Sequence, residues 1–549
     1  MNKNSMYKFR KFPVIFLIIM LTGVACQNQF VIDILPKSGS FIGSYGEISE
    51  GGSEGFPLLS VEKEPDLSLT LTPLQGTLPG GEFYNERQKS FTVTVSGFTD
   101  SEEALDTGLE LENLPKGLSL TGNSAEDGII TGVLPDMEKT FTLIIAYDGN
   151  EPFAEPVLVY ISASGFTAAP ELIAIDVIDG LETERPVPLN NANIIAFNKY
   201  TMTAGGIGRH YILAEEISLP EPAPGEDSNW IPVGGWLEID GFKGSFDGDG
   251  HFISGLVFGL SAVNLFVPGG YLGFFGSISP GGTVKNLGLA DICINNKKFE
   301  IGGIAATNYG NIENCYVTGS IISDDTNIGG IAGKNYGIIQ NCYSSADITS
   351  KLNLGGIAGW NNENAIIQNC YSTGDITCTQ SNSAGGITGR NDGKIYNCYA
   401  LGNINGINNS LYLGGITGRN IVESGAEVVN CAALNMSIVS QFIVPASAYI
   451  GRIAGLGNPV LKNNYARGDM VLKYNGTKPL PAIVSDAEGL HGESITVSEY
   501  GEESWWKDNE TWNTDDGTAW DFVSIWDWND ENHLPVLRNA GGDQDHTVN

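Results

Sequence analysis

The sequence predicts an all-β protein: a small β-sandwich, then a long parallel β-solenoid, then a Trp-rich closing segment. Three observations predict it. One phrase repeats between Gly302 and Tyr465, short alternating apolar runs precede it, and 71 glycines in 549 residues supply tight turns. The phrase reads GGIAATNYGNIENCY from Gly302, GGIAGKNYGIIQNCY from Gly329, GGIAGWNNENAIIQNCY from Gly355 and GGITGRNDGKIYNCY from Gly385, with weaker copies from Gly414 and Gly451. Its second-half Asn falls at Asn314, Asn341, Asn369, Asn397, Asn430 and Asn463, giving steps of 27, 28, 28, 33 and 33 residues. A fixed period of this size, carried by β-type residues, is the mark of stacked coils.

The N-terminus reads as an export signal over residues 1–25. Lys3, Lys8, Arg10 and Lys11 precede an apolar run from Phe12 to Leu21, too short to span a bilayer, which takes about 20 residues. Thr22-Gly23-Val24-Ala25-Cys26 follows and resembles the bacterial lipoprotein box, with Gly23 where the box usually carries Leu. The resemblance implies lipidation of Cys26 and anchoring to a membrane; ordinary cleavage after Ala25 is the alternative. The Gly-, Ser- and Glu-rich stretch within 26–62 reads as a flexible tether.

Residues 63–165 carry runs such as Phe91–Val95, Phe141–Tyr147 and Val157–Ile161, separated by turn clusters, the spacing of a small sandwich. Asn113-Leu-Pro-Lys-Gly-Leu-Ser-Leu120, Gly128-Ile-Ile-Thr-Gly132 and Tyr147-Asp148-Gly149 resemble bacterial Ig-like domains, which usually act as spacers on secreted proteins. Residues 166–283 are expected to form lead-in coils, 284–470 the repeats, and 471–549 a C-terminal cap. That last segment holds six of the nine tryptophans and suits a hydrophobic plug on the open solenoid end.

The GGI(A/T)G…NCY phrase, the Phe246-Asp-Gly-Asp-Gly-His-Phe-Ile253 lead-in and the close in Pro535-Val-Leu537 resemble GLUG-repeat bacterial surface proteins. The resemblance implies a right-handed β-solenoid on the cell surface or in secreted proteins, of mostly undefined activity. Some relatives carry the repeat beside a zinc peptidase domain. None of the five histidines here stands in a His-Glu-x-x-His pair, so that peptidase is missing.

Stacking at about 4.8 Å per coil places equal letters above one another. Ile304, Ile331, Ile357, Ile387, Ile416 and Ile453 then form an inward row. Asn314, Asn341, Asn369, Asn397 and Asn430 form an amide ladder, while Asn308-Tyr-Gly310, Asn335-Tyr-Gly337 and Asn391-Asp-Gly393 read as turns at positive φ. Cys315, Cys342, Cys370, Cys398 and Cys431 read as buried free thiols, because five parallel thiols cannot all pair and no CxxC spacing suits a metal. Each neighbouring Tyr (Tyr316, Tyr343, Tyr371, Tyr399) points the other way. This column is the candidate binding face for a glycan or a protein loop, or else simply stabilises the ladder by stacking.

Charge narrows the partners. A formal net charge of −35 disfavours nucleic acid, yet residues 284–470 hold 11 Lys plus Arg against 12 Asp plus Glu, so the acidity sits in the flanks. A Walker A loop and a strand-linked GxGxxG are missing, and the Gly-x-Ser-x-Gly string at Gly51–Gly55 falls within the Gly-, Ser- and Glu-rich tether stretch. Asp247-Gly-Asp-Gly250 and Asp515-Asp-Gly517 read as turns and not as calcium loops. The expected function is a non-enzymatic surface lipoprotein without catalytic residues, cofactor or metal, presenting a binding or adhesive face. The alternatives are a polysaccharide-active β-helix enzyme and a purely structural envelope protein.

Overall fold

The computed structural model describes residues 180–544 apart from 181–182, 184–185, 192, 203–205, 236–240, 261–269, 298–299, 381–382, 409–411, 422–424, 442–449, 458–459, 481–483 and 513–519. Upstream it describes only the strands between Ser68 and Ile178. The export signal, Cys26, the tether and the Asp515–Gly517 turn therefore lie outside the described residues.

The upstream strands form two sheets. One joins Ser68–Thr72, Gln88–Phe98, Asp136–Tyr147, Leu118–Ser124 and Ile130–Val133 in antiparallel pairs; the other joins Gln75–Pro79, Glu171–Ile178, Val157–Ala163 and Leu109–Glu112. The second sheet includes Glu171–Ile178, past the expected boundary at 165, because that strand pairs with both Gln75–Pro79 and Val157–Ala163.

From Val187 the chain winds into a β-solenoid with four walls, each a parallel sheet running along it. One coil shows the plan. Thr326–Gly329 belongs to the first wall, Ala332–Asn335 to the second, Ile338–Gln340 to the third, and Tyr343–Ser344 with Asp347–Ser350 to the fourth. Equivalent letters stack in register: Ile339 pairs with Ile367, Tyr343 with Tyr371, Ile348 with Ile376 and Leu354 with Ala384. The third wall begins at Val187–Leu189, so coils precede the first repeat by three further strands, the last of them Thr283–Lys285.

Inside the walls runs one continuous apolar core. The isoleucine row from Ile304 to Ile453 and the whole cysteine column lie in it, fully buried. Each core isoleucine contributes about 1.5–3 kcal/mol of burial before chain entropy is counted. The five cysteines are free thiols, and Cys315, Cys342, Cys370, Cys398 and Cys431 each donate back to a carbonyl two residues earlier. Burial pushes the Cys342 and Cys398 thiols up, so they stay protonated.

The second glycine of each GGI shows why the phrase fades where it does. A Cβ added to Gly330, Gly356, Gly386 or Gly415 would lie 2.2, 2.3, 2.2 or 2.1 Å from a carbonyl of the next coil. Arg452 occupies this position at Gly451-Arg-Ile453, where no further GGI coil follows. Its guanidinium bonds the carbonyls of His491, Arg467 and Gly492 and the Ser494 hydroxyl at 2.8–3.3 Å, closing the last coil.

Candidate binding crease

The asparagine ladder occupies the corner between the third and fourth walls. Asn314, Asn341, Asn369, Asn397 and Asn430 all sit at φ between 49° and 55°, the left-handed region where Asn is among the few tolerated residues. Their amides link coil to coil: Asn341 donates to Asn314, Asn369 to Asn341 and Asn397 to Asn369 at 3.2–3.3 Å. Asn286, one coil earlier, accepts from Asn314 at 3.0 Å and donates to Asp247 at 2.9 Å.

Two expectations are corrected by the geometry. Asn308, Asn335 and Asn391 are not positive-φ turn residues: they are absent from the left-handed set and form a second, fully buried ladder. Asn308 donates to Asn335, Asn335 to Asn361, Asn361 to Asn391 and Asn391 to Asn420, all at 2.7–2.9 Å. The second correction concerns the tyrosines. Tyr316, Tyr343, Tyr371 and Tyr399 do point away from the main core and stack at 4.8–5.2 Å, but they are not an open binding face. The C-terminal segment covers them.

That segment runs back along the fourth wall as a lateral brace, whereas an end plug was expected. Trp506, Trp512, Trp520, Trp526, Leu534 and Leu537 join the tyrosines in a second apolar cluster. Four hydroxyls of the column find a partner in the segment: Tyr465 donates to Thr511, Tyr399 to Pro535, Tyr371 to Gln544 and Tyr343 to Gly541, at 2.6–3.2 Å. A stripe of stacked tyrosines is a long apolar surface, and the Trp-rich tail removes it from water. Asp247 is likewise engaged, with Oδ2 3.0 Å from Lys285 Nζ and Oδ1 accepting from Asp249 and Asn286.

A different column remains at the surface. The first and second walls meet outside the core in a crease, and their side chains face one another across it. At its floor the walls nearly touch: a Cβ on Gly359 would lie 2.4 Å from the Ile328 nitrogen of the facing strand. Asn327, Asn353 and Ser383 line that floor, linked by bonds of 2.8 Å.

The second wall contributes Thr307, Lys334, Trp360, Arg390 and Arg419, directly in register from coil to coil. Lys334 pairs with Glu300 of the first wall, which also accepts from Thr307 at 3.0 Å. Trp360 stacks between cations, with Lys334 Nζ at 5.1 Å and Arg390 at 4.4 Å from its ring. Asp392 holds Arg390 through two bonds of 2.7 and 3.0 Å and accepts the Trp360 indole N–H at 2.9 Å. Arg419 lies 5.1 Å from the Tyr412 ring, has no carboxylate partner among the described residues, and its buried Nε has no acceptor.

This column was invisible to a search for repeated letters. It is the variable letter before the Asn of GGIxGxN, where the coils read Thr, Lys, Trp, Arg, Arg and Leu. The signal was the contrast between a changing letter and its constant neighbours.

The family comparison agrees with the coil boundaries. Residues 299–322, 324–349, 352–377 and 380–405 each match the GLUG motif. The chain carries four GLUG repeats. Over 114 residues it is 30% identical to an Evansella cellulosilytica protein provisionally named a Gly-rich membrane protein, a match covering 20% of this chain and 12% of that one. The chain is also similar to a solved Bacteroides ovatus structure provisionally named an immunoglobulin A1 protease, at 24% identity and a TM-score of 0.44, over 65% of this chain and 94% of that one. Among the described residues no helix is long and apolar enough to cross a membrane.

Proposed function

We propose that this GLUG solenoid is an exported, surface-held, non-enzymatic binding protein that takes its ligand along the crease between its first and second walls. The observation that carries the reading is the in-register column Lys334, Trp360, Arg390 and Arg419 at the surface of a strongly acidic chain. The export-type N-terminus with Cys26, and a relative named as a membrane protein, support the surface location.

Binding is favoured over hydrolysis by the state of the two crease carboxylates. Glu300 is held by Lys334 and Thr307, and Asp392 by Arg390 and Trp360. A general acid–base pair needs carboxyls free to exchange protons with a substrate.

The test is binding of the full-length protein to a panel of glycans and extracellular-matrix proteins, alongside Trp360→Ala. Loss of the wild-type signal in the variant is the expected result. Binding to nothing on the panel, or binding indifferent to Trp360, removes the crease as the functional surface.

A further inference from the structure

We infer that the crease binds polysaccharide carrying carboxylate groups, with Arg419 as the anion-binding residue. This rests on the crease being the ligand surface and adds the chemical class of ligand. The evidence is a mismatch within one column. Lys334 is paired with Glu300 and Arg390 with Asp392, whereas Arg419, in the same register, has no carboxylate partner among the described residues.

Two features make that position receptive to an anion. Arg390 and Arg419 are direct neighbours in the parallel ladder, about 4.8 Å apart along the coil axis, and Asp392 already neutralises Arg390. A ligand carboxylate at this point supplies Arg419 with the counter-charge it lacks. The buried Arg419 Nε also lacks an acceptor, and a buried donor without a partner favours whatever supplies one. A guanidinium presents a planar fork that fits a carboxylate through two parallel bonds. Tyr412 lies against the Arg419 guanidinium, and Trp360 with Asp392 fixes Arg390.

A sugar chain suits the crease better than an acidic peptide does. The crease strands pair with neighbours on both sides through their parallel ladders, so a peptide finds no strand edge to extend. Among the described residues of the crease floor Asn353 is partly exposed, while Thr307, Asn327 and Ser383 are buried with their polar groups bonded to neighbouring side chains, so the floor presents no apolar surface to peptide side chains.

The experiment measures full-length protein on immobilised polygalacturonate, alginate and hyaluronan, on the carboxyl-reduced form of each, and on polyglutamate. At least one uronate polymer should bind, with its carboxyl-reduced form at least ~10-fold weaker. Arg419→Gln should weaken that binding roughly 10- to 100-fold, the range for a lost charge-assisted pair. Arg419→Lys, which keeps charge and loses the fork, should fall between. Lys478→Gln, on the exposed Lys478–Pro479 strand, should bind as wild type, and unchanged melting of Arg419→Gln rules out misfolding. Equal binding of the carboxyl-reduced polymers, an indifferent Arg419→Gln, or no binding to any of the three overturns the assignment. Polyglutamate binding as tightly as the best uronate, with the same Arg419 dependence, reassigns the site to acidic peptides. Trp360-dependent binding of a neutral ligand keeps the crease and discards the carboxylate.

Discussion

Replacing Asn369 tests the corner ladder at a single residue with two separable costs. Its amide donates to Asn341 at 3.2 Å, its carbonyl accepts from Asn397 at 3.3 Å, and its φ is 52°. Asn369→Gly removes both amide bonds but keeps a residue at ease in the left-handed region, so the cost is about 2 kcal/mol, near 1 per bond. Asn369→Leu removes the same bonds and adds about 1–2 kcal/mol of backbone strain, for a total of about 3–4. Solenoid coils open locally, so the suitable assay is native-state hydrogen exchange of the flanking strands Ile366–Gln368 and Tyr371–Ser372. At about 1.4 kcal/mol per tenfold, protection should drop roughly 30-fold for Gly and 100- to 1,000-fold for Leu. Equal losses in the two variants refute the strain argument, and losses below about 0.5 kcal/mol in both refute the ladder.

The brace is tested by Gly542→Val: its φ is 69°, and a Cβ there would lie 2.2 Å from the Tyr343 hydroxyl and 2.8 Å from the Tyr316 ring. The tail should lift, which limited proteolysis and a red shift of tryptophan emission will show. Alkaline pH attacks the same interface. Burial holds the Tyr343, Tyr371 and Tyr399 hydroxyls above the ordinary tyrosine value near 10 and pushes Tyr465 up to about 12. Their stabilising effect is complete below pH 10 and falls as the unfolded chain ionises above it, with Tyr465's share exhausted near pH 12, as alkaline unfolding followed by tyrosinate absorbance should record. Finally, Arg419→Thr should leave the fold at least as stable as wild type, because it removes a buried donor without an acceptor, whereas Ile357→Thr, at a fully buried position, should cost about 3 kcal/mol in the same melt.

The coil plan was legible because each repeated letter has one physical job at every rung. Ile357 fills the core, Cys370 packs beside it as a small apolar group, and Asn369 turns the corner. The Asn335 ladder was misread because Asn-Tyr-Gly has the composition of a turn. A column of such residues can instead pair its amides with one another inside the wall, as Asn335 does with Asn361. The fate of the tyrosines was not legible locally. Tyr371 faces outward from its coil, and only the chain from residue 496 onward, distant in sequence, turns that face into an interior. Composition held the clue in two halves: an apolar stripe with nothing beside it, and a Trp-rich tail with no core of its own.

The same reasoning locates function within a solenoid. A letter that recurs in every coil is bound by the coil above and below it, so its freedom to serve a ligand is small. The amides of Asn341 and Asn369 are spent on each other, the Tyr399 hydroxyl on Pro535, and the thiol of Cys370 on its own strand. A letter that changes from coil to coil builds no ladder, and its side chain must find partners case by case. In the crease this gives Lys334 a carboxylate across the groove, Arg390 a carboxylate two residues on, and Arg419 none among the described residues. Among the described residues an irregular column on a regular scaffold leaves Arg419 without a carboxylate, and the ligand is sought there.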